Sequence, residues 1–317
     1  MKEVAKRAGV GMGTVSRYIN KNGYVSEESR KKIEDAIKAL NYIPNQLGRN
    51  LQAQRSGLVA LFVPTISHVF FSKIAFYIED YLYKKGFKMI IVSSQGKRDK
   101  EVHLLNMIKT GQVDGIIFIT NHLYQDVDFK GLNIVTLDRH LDNVPCVTSD
   151  NYESTFKAIE HLVQKGCHHI GYIGGMSTAP SETQKRYFAY LDVMQKYNMV
   201  PTSCYKNVYH GEEFVVAKQF MQENPTLDGI FAQSDTFANT CFQIATQLGK
   251  KVPEEIKIIA FDGVMDEILQ HPKFTVVKQD IEALAVAIVN QLILRINHET
   301  SEEFIFVPTN LILGETT

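Results

Sequence analysis

Over the first 55 residues, apolar positions recur at helical spacing in three short runs. Val4, Ala5 and Ala8 fall on one face, and Gly9 follows them. Glycine tolerates the left-handed backbone that closes a helix. Residues 14–20 predict a second short helix, with Val15 and Ile19 four apart. Asn22-Gly23 is a turn signal. Ser26 then predicts a cap for a third helix, whose Ile33, Ala36, Ile37 and Leu40 form an i, i+3, i+4, i+7 stripe. Glu27 and Glu28 open it and Lys31, Lys32 and Lys38 follow, which suits the helix dipole. Two short helices joined by a tight glycine turn, then a longer one, describe a helix-turn-helix with its supporting helix.

Beyond Pro44 the pattern predicts a helix of about eight residues, too short to hold in water alone, and Gly48 weakens it further. From residue 57 the rhythm changes. Apolar runs at 58–63, 88–92, 115–119 and 133–137 alternate with amphipathic stretches at 71–85 and 98–110. The alternation restarts with helix 153–165, strand 170–173, helix 181–197, a strand near 206–209, helix 212–222, strand 229–232, helix 235–248 and strand 257–260. A last strand is expected over 304–313. Repeated β-α-β units imply two doubly wound lobes.

Charge sharpens this division. Residues 1–55 carry 11 Lys/Arg against 5 Asp/Glu, although the whole chain is nearly neutral at −1. A basic head on an acidic body points to a polyanion-binding module. No stretch has the length and apolarity of a membrane span, and the first residues lack a signal-peptide core. The four cysteines lie far apart, without metal-ligand spacing, and read as buried thiols. A cytoplasmic protein with no metal or cofactor is expected. Enzyme signatures are missing: Gly171-Tyr172-Ile173-Gly174-Gly175 does not spell GxGxxG, and its glycines are expected to turn the backbone over a cleft.

In a helix-turn-helix the second helix enters the major groove. That puts Met12, Gly13 and Arg17 at base edges, with Thr14, Ser16 and Tyr18 at bases or phosphates. Arg17 can make a bidentate pair with guanine.

Several motifs together resemble the LacI/GalR family of bacterial transcription regulators. They are Glu3-Val4-Ala5, Ala8-Gly9-Val10, Thr14-Val15-Ser16-Arg17 with Asn20, and Asn41-Tyr42-Ile43-Pro44-Asn45 with Leu51. The resemblance implies a helix-turn-helix domain (1–44), a hinge helix and linker (45–56) and a two-lobed, periplasmic-binding-protein-like α/β effector domain (57–317). The first lobe would take about 57–150 and 279–307, the second about 151–278 and 308–317. It also implies that Asn20, Asn45 and Arg49 contact DNA and that Leu51 wedges into the minor groove at the centre of the site. Three departures stand out. The chain opens close to helix 1, Gly11 stands where a capping Ser is usual, and Gly48 stands where the hinge usually has Ala.

In open α/β sheets ligands sit at the carboxyl ends of strands. The residues there include Asn121, His122, Asp138, Arg139, Asp150, Asn151, Ser234, Asp235 and Phe261. The resemblance implies Asp138, Arg186 and Asp262 as main effector contacts. Phe70 or Phe71, Ser234 and Gln279 are secondary ones, and Tyr209 and Phe261 are further candidates. Carboxylates with an arginine suit vicinal hydroxyls, and aromatic rings suit the apolar face of a sugar. Asp235 is expected to cap the helix after it, Asp150 to brace the crossover between lobes, and His68 and His122 to be surface loop residues.

The expected partners are double-stranded, pseudo-palindromic operator DNA, a sugar or sugar-phosphate effector and a second copy of the chain. The resemblance leaves open a corepressor-dependent, purine-type member and a catabolite regulator with a phosphoprotein partner. The runs Ile66-Ser67-His68-Val69-Phe70, Ser93-Ser94-Gln95 and Gln112-Val113-Asp114-Gly115-Ile116 are most similar to the sucrose-operon branch.

Overall fold

The computed structural model describes residues 1–20, 22–42, 55–95, 97–120, 122, 124, 127–177, 180–208, 211–265 and 272–317. It divides into two units, residues 1–56 and 57–317. The expected hinge contacts Asn45, Arg49 and Leu51, and the candidates Tyr209 and Asn121, lie outside the described residues.

The first unit holds α1 (Lys2–Ala8), α2 (Met12–Asn20) and α3 (Glu27–Ala39). Val4, Ala5, Ala8, Val15, Val25, Ile33 and Ala36 form its core. Gly9 closes α1 at φ 65°, returning its N–H to the Ala5 carbonyl. No side chain caps the start of α1. α2 begins two residues earlier than the sequence pattern indicates. The Gly11 carbonyl accepts from Thr14 N at 2.9 Å and Val15 N at 3.2 Å, so backbone alone starts the turn. Ser26 caps α3 by accepting from Ser29 N at 3.3 Å.

The second unit contains two six-stranded sheets. The first lobe is built from β1 (Leu58–Val63), α4 (Val69–Lys84), β2 (Lys88–Ser93), α5 (Arg98–Lys109), β3 (Gly115–Phe118), β4 (Ile134–Leu137) and β5 (Cys146–Ser149). The second takes α6 (Asn151–Gln164), β6 (Ile170–Gly175), α7 (Gln184–Lys196), β7 (Thr202–Lys206), α8 (Glu213–Glu223), β8 (Gly229–Ala232), α9 (Asp235–Gln247), β9 (Lys257–Asp262) and β10 (Thr275–Gln279). The chain returns to the first lobe for α10 (Ile281–Ile296) and β11 (Phe304–Val307), then closes the second sheet with β12 (Thr309–Ile312).

The sheet orders are β11-β5-β4-β3-β1-β2 and β12-β10-β9-β8-β6-β7. β4 and β9 therefore hold equivalent places, one in each lobe. Strand pairing is parallel except for β10 with β12. The central strands β3, β4 and β8 are buried along their whole length, as helices on both faces require. Α10 packs with α4 against the first sheet through Ile74, Ile78, Leu284, Ile288 and Leu292.

Four expectations are corrected. The strand placed near 206–209 is β7, four residues earlier. The helix expected over 181–197 starts at Gln184, because Ser181 forms a β-bridge with Arg139. The terminal run splits at Pro308, which cannot donate to a ladder, and its halves join different sheets. Three cysteines are buried as expected, but Cys204 is only half-buried; all four are free thiols.

Candidate functional site

On the recognition helix α2, Met12, Gly13 and Arg17 are exposed. Val15 points inward and is fully buried, fixing which face turns out. The Tyr18 hydroxyl donates to Glu34 Oε1 at 2.7 Å and braces α2 on α3. The Glu34 contact also raises its pKa above the ordinary phenol value. Asn20 Nδ2 donates to Ser16 Oγ at 3.2 Å, so these two side chains steady one another. Thr14 is half-buried. The exposed surface is thus a cation, a thioether and a glycine that admits close approach. It suits base edges in a groove.

In the second unit strand ends of the two sheets meet in a buried polar network. Asp138 follows β4 with φ 58°, and Asp262 ends β9 with φ 101°. Non-glycine residues rarely adopt this backbone, and such strain persists where the surroundings enforce it. The equivalent strands of the two lobes therefore each present an aspartate with a positive φ. Both are nearly sealed from solvent.

The surroundings come from strand ends and crossovers. Thr148 Oγ1 donates to Asp138 Oδ1. Asn151 Nδ2 donates to Thr148 Oγ1 at 3.0 Å, and Asn151 Oδ1 accepts from Arg186 Nε at 2.7 Å. Arg186 Nη1 donates to the Gln233 carbonyl at 2.8 Å and lies 3.6 Å from Asp262 Oδ1. Gln279 Nε2 donates to the same Asp262 oxygen at 2.8 Å, while its Oε1 accepts from Ser149 Oγ at 2.5 Å. A chain of hydrogen bonds, closed by the Arg186–Asp262 ion pair, thus runs from Asp138 in the first lobe to Asp262 in the second.

Burial lifts the Asp262 carboxyl to a pKa of about 8, against the pull of Arg186 and with Asp235 pushing the same way. Burial also raises Asp235, opposed by the backbone N–H groups it accepts from. Those groups are Gly263, Val264 and Met265, at 3.1, 2.7 and 3.3 Å. Asp235 therefore anchors the loop after β9 instead of capping α9. The cap is Ser234, whose hydroxyl accepts from Phe237 N at 3.4 Å.

Two aromatic expectations also change. The Phe261 ring is fully buried, and the Arg186 guanidinium lies 3.5 Å above its centroid. It supports the arginine. Phe70 sits in the core of the first lobe, whereas Phe71 is half-buried with its centroid 5.3 Å from His68. His68 caps α4 by accepting from Phe70 N at 3.3 Å, and its Nε2 stands 3.5 Å from Thr236 Oγ1 of the other lobe. Asp150 caps α6, accepting from Glu153 N at 3.2 Å. His122 is not a free surface residue. Its Nδ1 lies 3.2 Å from Glu101 Oε2, an oxygen that also accepts from Thr120 and Tyr124.

Sequence reasoning missed Thr148 and Ser149, because β5 follows β4 with no helix between them. It also missed a strap between the lobes. Arg139 Nη1 donates to Ser181 Oγ, Glu182 N donates to the Asp138 carbonyl at 3.0 Å, and His140 Nε2 meets Glu182 Oε1 at 2.6 Å. His140 stacks on Phe304 with 2° between the rings. Lys185 Nζ lies 2.8 Å from the other Glu182 oxygen. No group of three His, Cys, Asp or Glu residues among those described could hold a metal ion.

The family model for bacterial regulatory proteins of the lacI family matches residues 1–45, and that for a periplasmic binding protein-like domain matches 159–317. The sucrose operon repressor of Streptococcus mutans is 36% identical, covering 100% of this chain and 98% of the relative. The chain belongs to the LacI family. The ribose operon repressor of Halalkalibacterium halodurans is 33% identical, over 100% of this chain and 96% of its own length. A LacI-family regulator from Alkaliphilus metalliredigens, solved with D-xylulofuranose, superposes with a TM-score of 0.75 at 30% identity, covering 83% of this chain and 99% of that one. As a LacI-family member the chain is a DNA-binding regulator with an α1–α3 reading head. No helix among the described residues is long and apolar enough to cross a membrane.

Proposed function

We propose that this LacI-family chain represses genes of carbohydrate use, binding a pseudo-palindromic operator as a homodimer, with affinity set by a sugar-class effector held between the two lobes. The carrying observation is the sealed polar network from Asp138 to Asp262, which links the lobes through Arg186 and Gln279. Charged groups this deep are expensive unless matched by partners. Carboxylates, an arginine and an amide offer the bidentate donors and acceptors that vicinal hydroxyls need. The sucrose and ribose operons of the relatives support the carbohydrate class. The cleft binds without a chemical step.

The mechanism is a coupling free energy between two sites. An effector that replaces part of the network changes how the lobes close. In this reading the segment 45–56, with Leu51 as its wedge, transmits that change to the DNA. The test is a thermal-shift screen of sugars, sugar phosphates and purines, followed by operator binding with each hit. A hit at 100 times its Kd adds about 2.7 kcal/mol of stability. A carbohydrate hit that weakens operator binding supports the reading. A purine that strengthens it overturns the reading.

A further inference from the structure

The two lobes also meet away from the crossovers. The backbone just past β4 pairs with the segment that leads into α7, Arg139 forming an antiparallel bridge with Ser181. Glu182 N donates to the Asp138 carbonyl at 3.0 Å, and His140 N to the Pro180 carbonyl at 3.5 Å. Each half of this strap is fixed to its own lobe. In the first lobe, Thr136 Oγ1 donates to the Arg139 carbonyl at 2.6 Å, Arg139 Nε donates to the Thr120 carbonyl, and the His140 ring lies flat on Phe304. In the second, Glu182 is nearly sealed from solvent and is tied to α7 by Lys185. Across the strap, His140 Nε2 meets Glu182 Oε1 at 2.6 Å. Hydrogen bonds to a carboxylate are among the stronger ones, and a buried carboxylate that loses a partner is costly. The strap carries network residues at both ends: Asp138 belongs to it, and Arg186 lies in the first turn of the helix it feeds.

Beneath the strap lies Cys146. On the first sheet this residue of β5 stands between Thr136 of β4 and Phe304 of β11, the two side chains on which the strap rests. Burial first, then the charges of Asp138 and Glu182, push its thiol up to a pKa of about 12. The thiol therefore feels both halves of the strap, one from each lobe. Thiolate is the reactive form, so Cys146 is chemically silent while the strap is shut.

We propose that the strap is the latch of the effector cleft: His140 and Glu182 hold the lobes together, and their parting, without unfolding of either lobe, admits and releases the effector. Both are positioning residues, because through them the helix that carries Arg186 is kept against the first lobe. The role in effector exchange rests on the sugar reading of the cleft, whereas the latch itself does not.

Cys146 reports the latch. The full chain is treated with N-ethylmaleimide under native conditions, and labelling of each cysteine is followed by peptide mass spectrometry. Cys167 and Cys241, in the core of the second lobe, report unfolding of that lobe, and amide exchange in β1 and β3 reports the first. His140→Phe keeps a ring for Phe304 and removes the bond to Glu182; Glu182→Gln removes the charge. Each variant is expected to label Cys146 at least about tenfold faster, with Cys167, Cys241 and the strand amides unchanged. A natural rate at Cys146 in both variants overturns the latch. So does a rise at all three cysteines together. A second arm adds D-ribose, D-fructose or sucrose to the natural protein. A sugar that raises the melting temperature, present at 100 times its Kd, is expected to slow labelling of Cys146 alone by at least about tenfold. A sugar that binds and leaves this rate unchanged overturns the role in exchange. No stabilisation by any of the three counts against the sugar reading, and the two variants still decide the latch.

Discussion

Replacing Asp262 with Asn removes a carboxyl that burial holds near pH 8, with Arg186 3.6 Å away and Gln279 donating to it at 2.8 Å. At pH 7 such a group is charged in about one molecule in ten, and at pH 6 in about one in a hundred. Effector hydroxyls that donate to Asp262 favour the charged form. Binding then releases a proton, and affinity rises about tenfold, or 1.4 kcal/mol, per pH unit until the plateau near 8. Between pH 6.5 and 8 the gain is roughly fifteenfold, in a range above the second ionisation of a phosphate ester near 6. Calorimetry at several pH values, in two buffers of different ionisation enthalpy, measures both slope and proton count. The Asn variant is expected to bind more weakly at pH 8 and to lose the slope. A flat profile in the natural protein, or an unchanged slope in the variant, refutes the reasoning. Stability in the absence of ligand has a definite sign. The folded pKa lies above the unfolded one, so this contribution is full below about pH 4 and is lost as pH rises through about 8. The Asn variant lacks that decline, which urea unfolding at pH 5 and 9 reads directly.

Arg186→Ala strips Asn151, the Gln233 carbonyl and Asp262 of their shared donor. It is expected to keep operator binding but to lose the effector response by at least about tenfold in half-maximal concentration, measured by gel shift; a normal response contradicts the network. Arg17→Ala is expected to relax base preference at one position per half-site, by about 1–3 kcal/mol, and an unaltered selection profile counts against it. His140→Ala removes the first-lobe partner of Glu182 and the ring stacked on Phe304. Amide exchange in the 180–182 segment should quicken, and equal protection would show that the strap does not hold the lobes.

Much of the fold is legible because its elements are locally consistent. The β1 and β8 bounds follow from the unbroken apolar runs Leu58–Val63 and Gly229–Ala232. Elements that break the β-α-β rhythm are harder to read. Strand β5 follows β4 directly, and α10 is apolar around most of its surface, which hides the helical period. In the candidate site Asp138 and Asp262 are legible at the ends of their strands, and Arg186, on α7, through the family resemblance. Roles that depend on the partner are not. Ser234 and Asp235 are adjacent, and only the fold shows that one caps a helix while the other holds the 263–265 loop.

The central claim is that cleft and operator sites exchange free energy, and such linkage is reciprocal. Its direct test is the effector Kd measured by calorimetry with and without saturating operator, beside the operator Kd with and without saturating effector. The account predicts the same factor in both directions, at least about fivefold, for the natural protein and a factor of one for Arg186→Ala. An effector affinity indifferent to operator would contradict it.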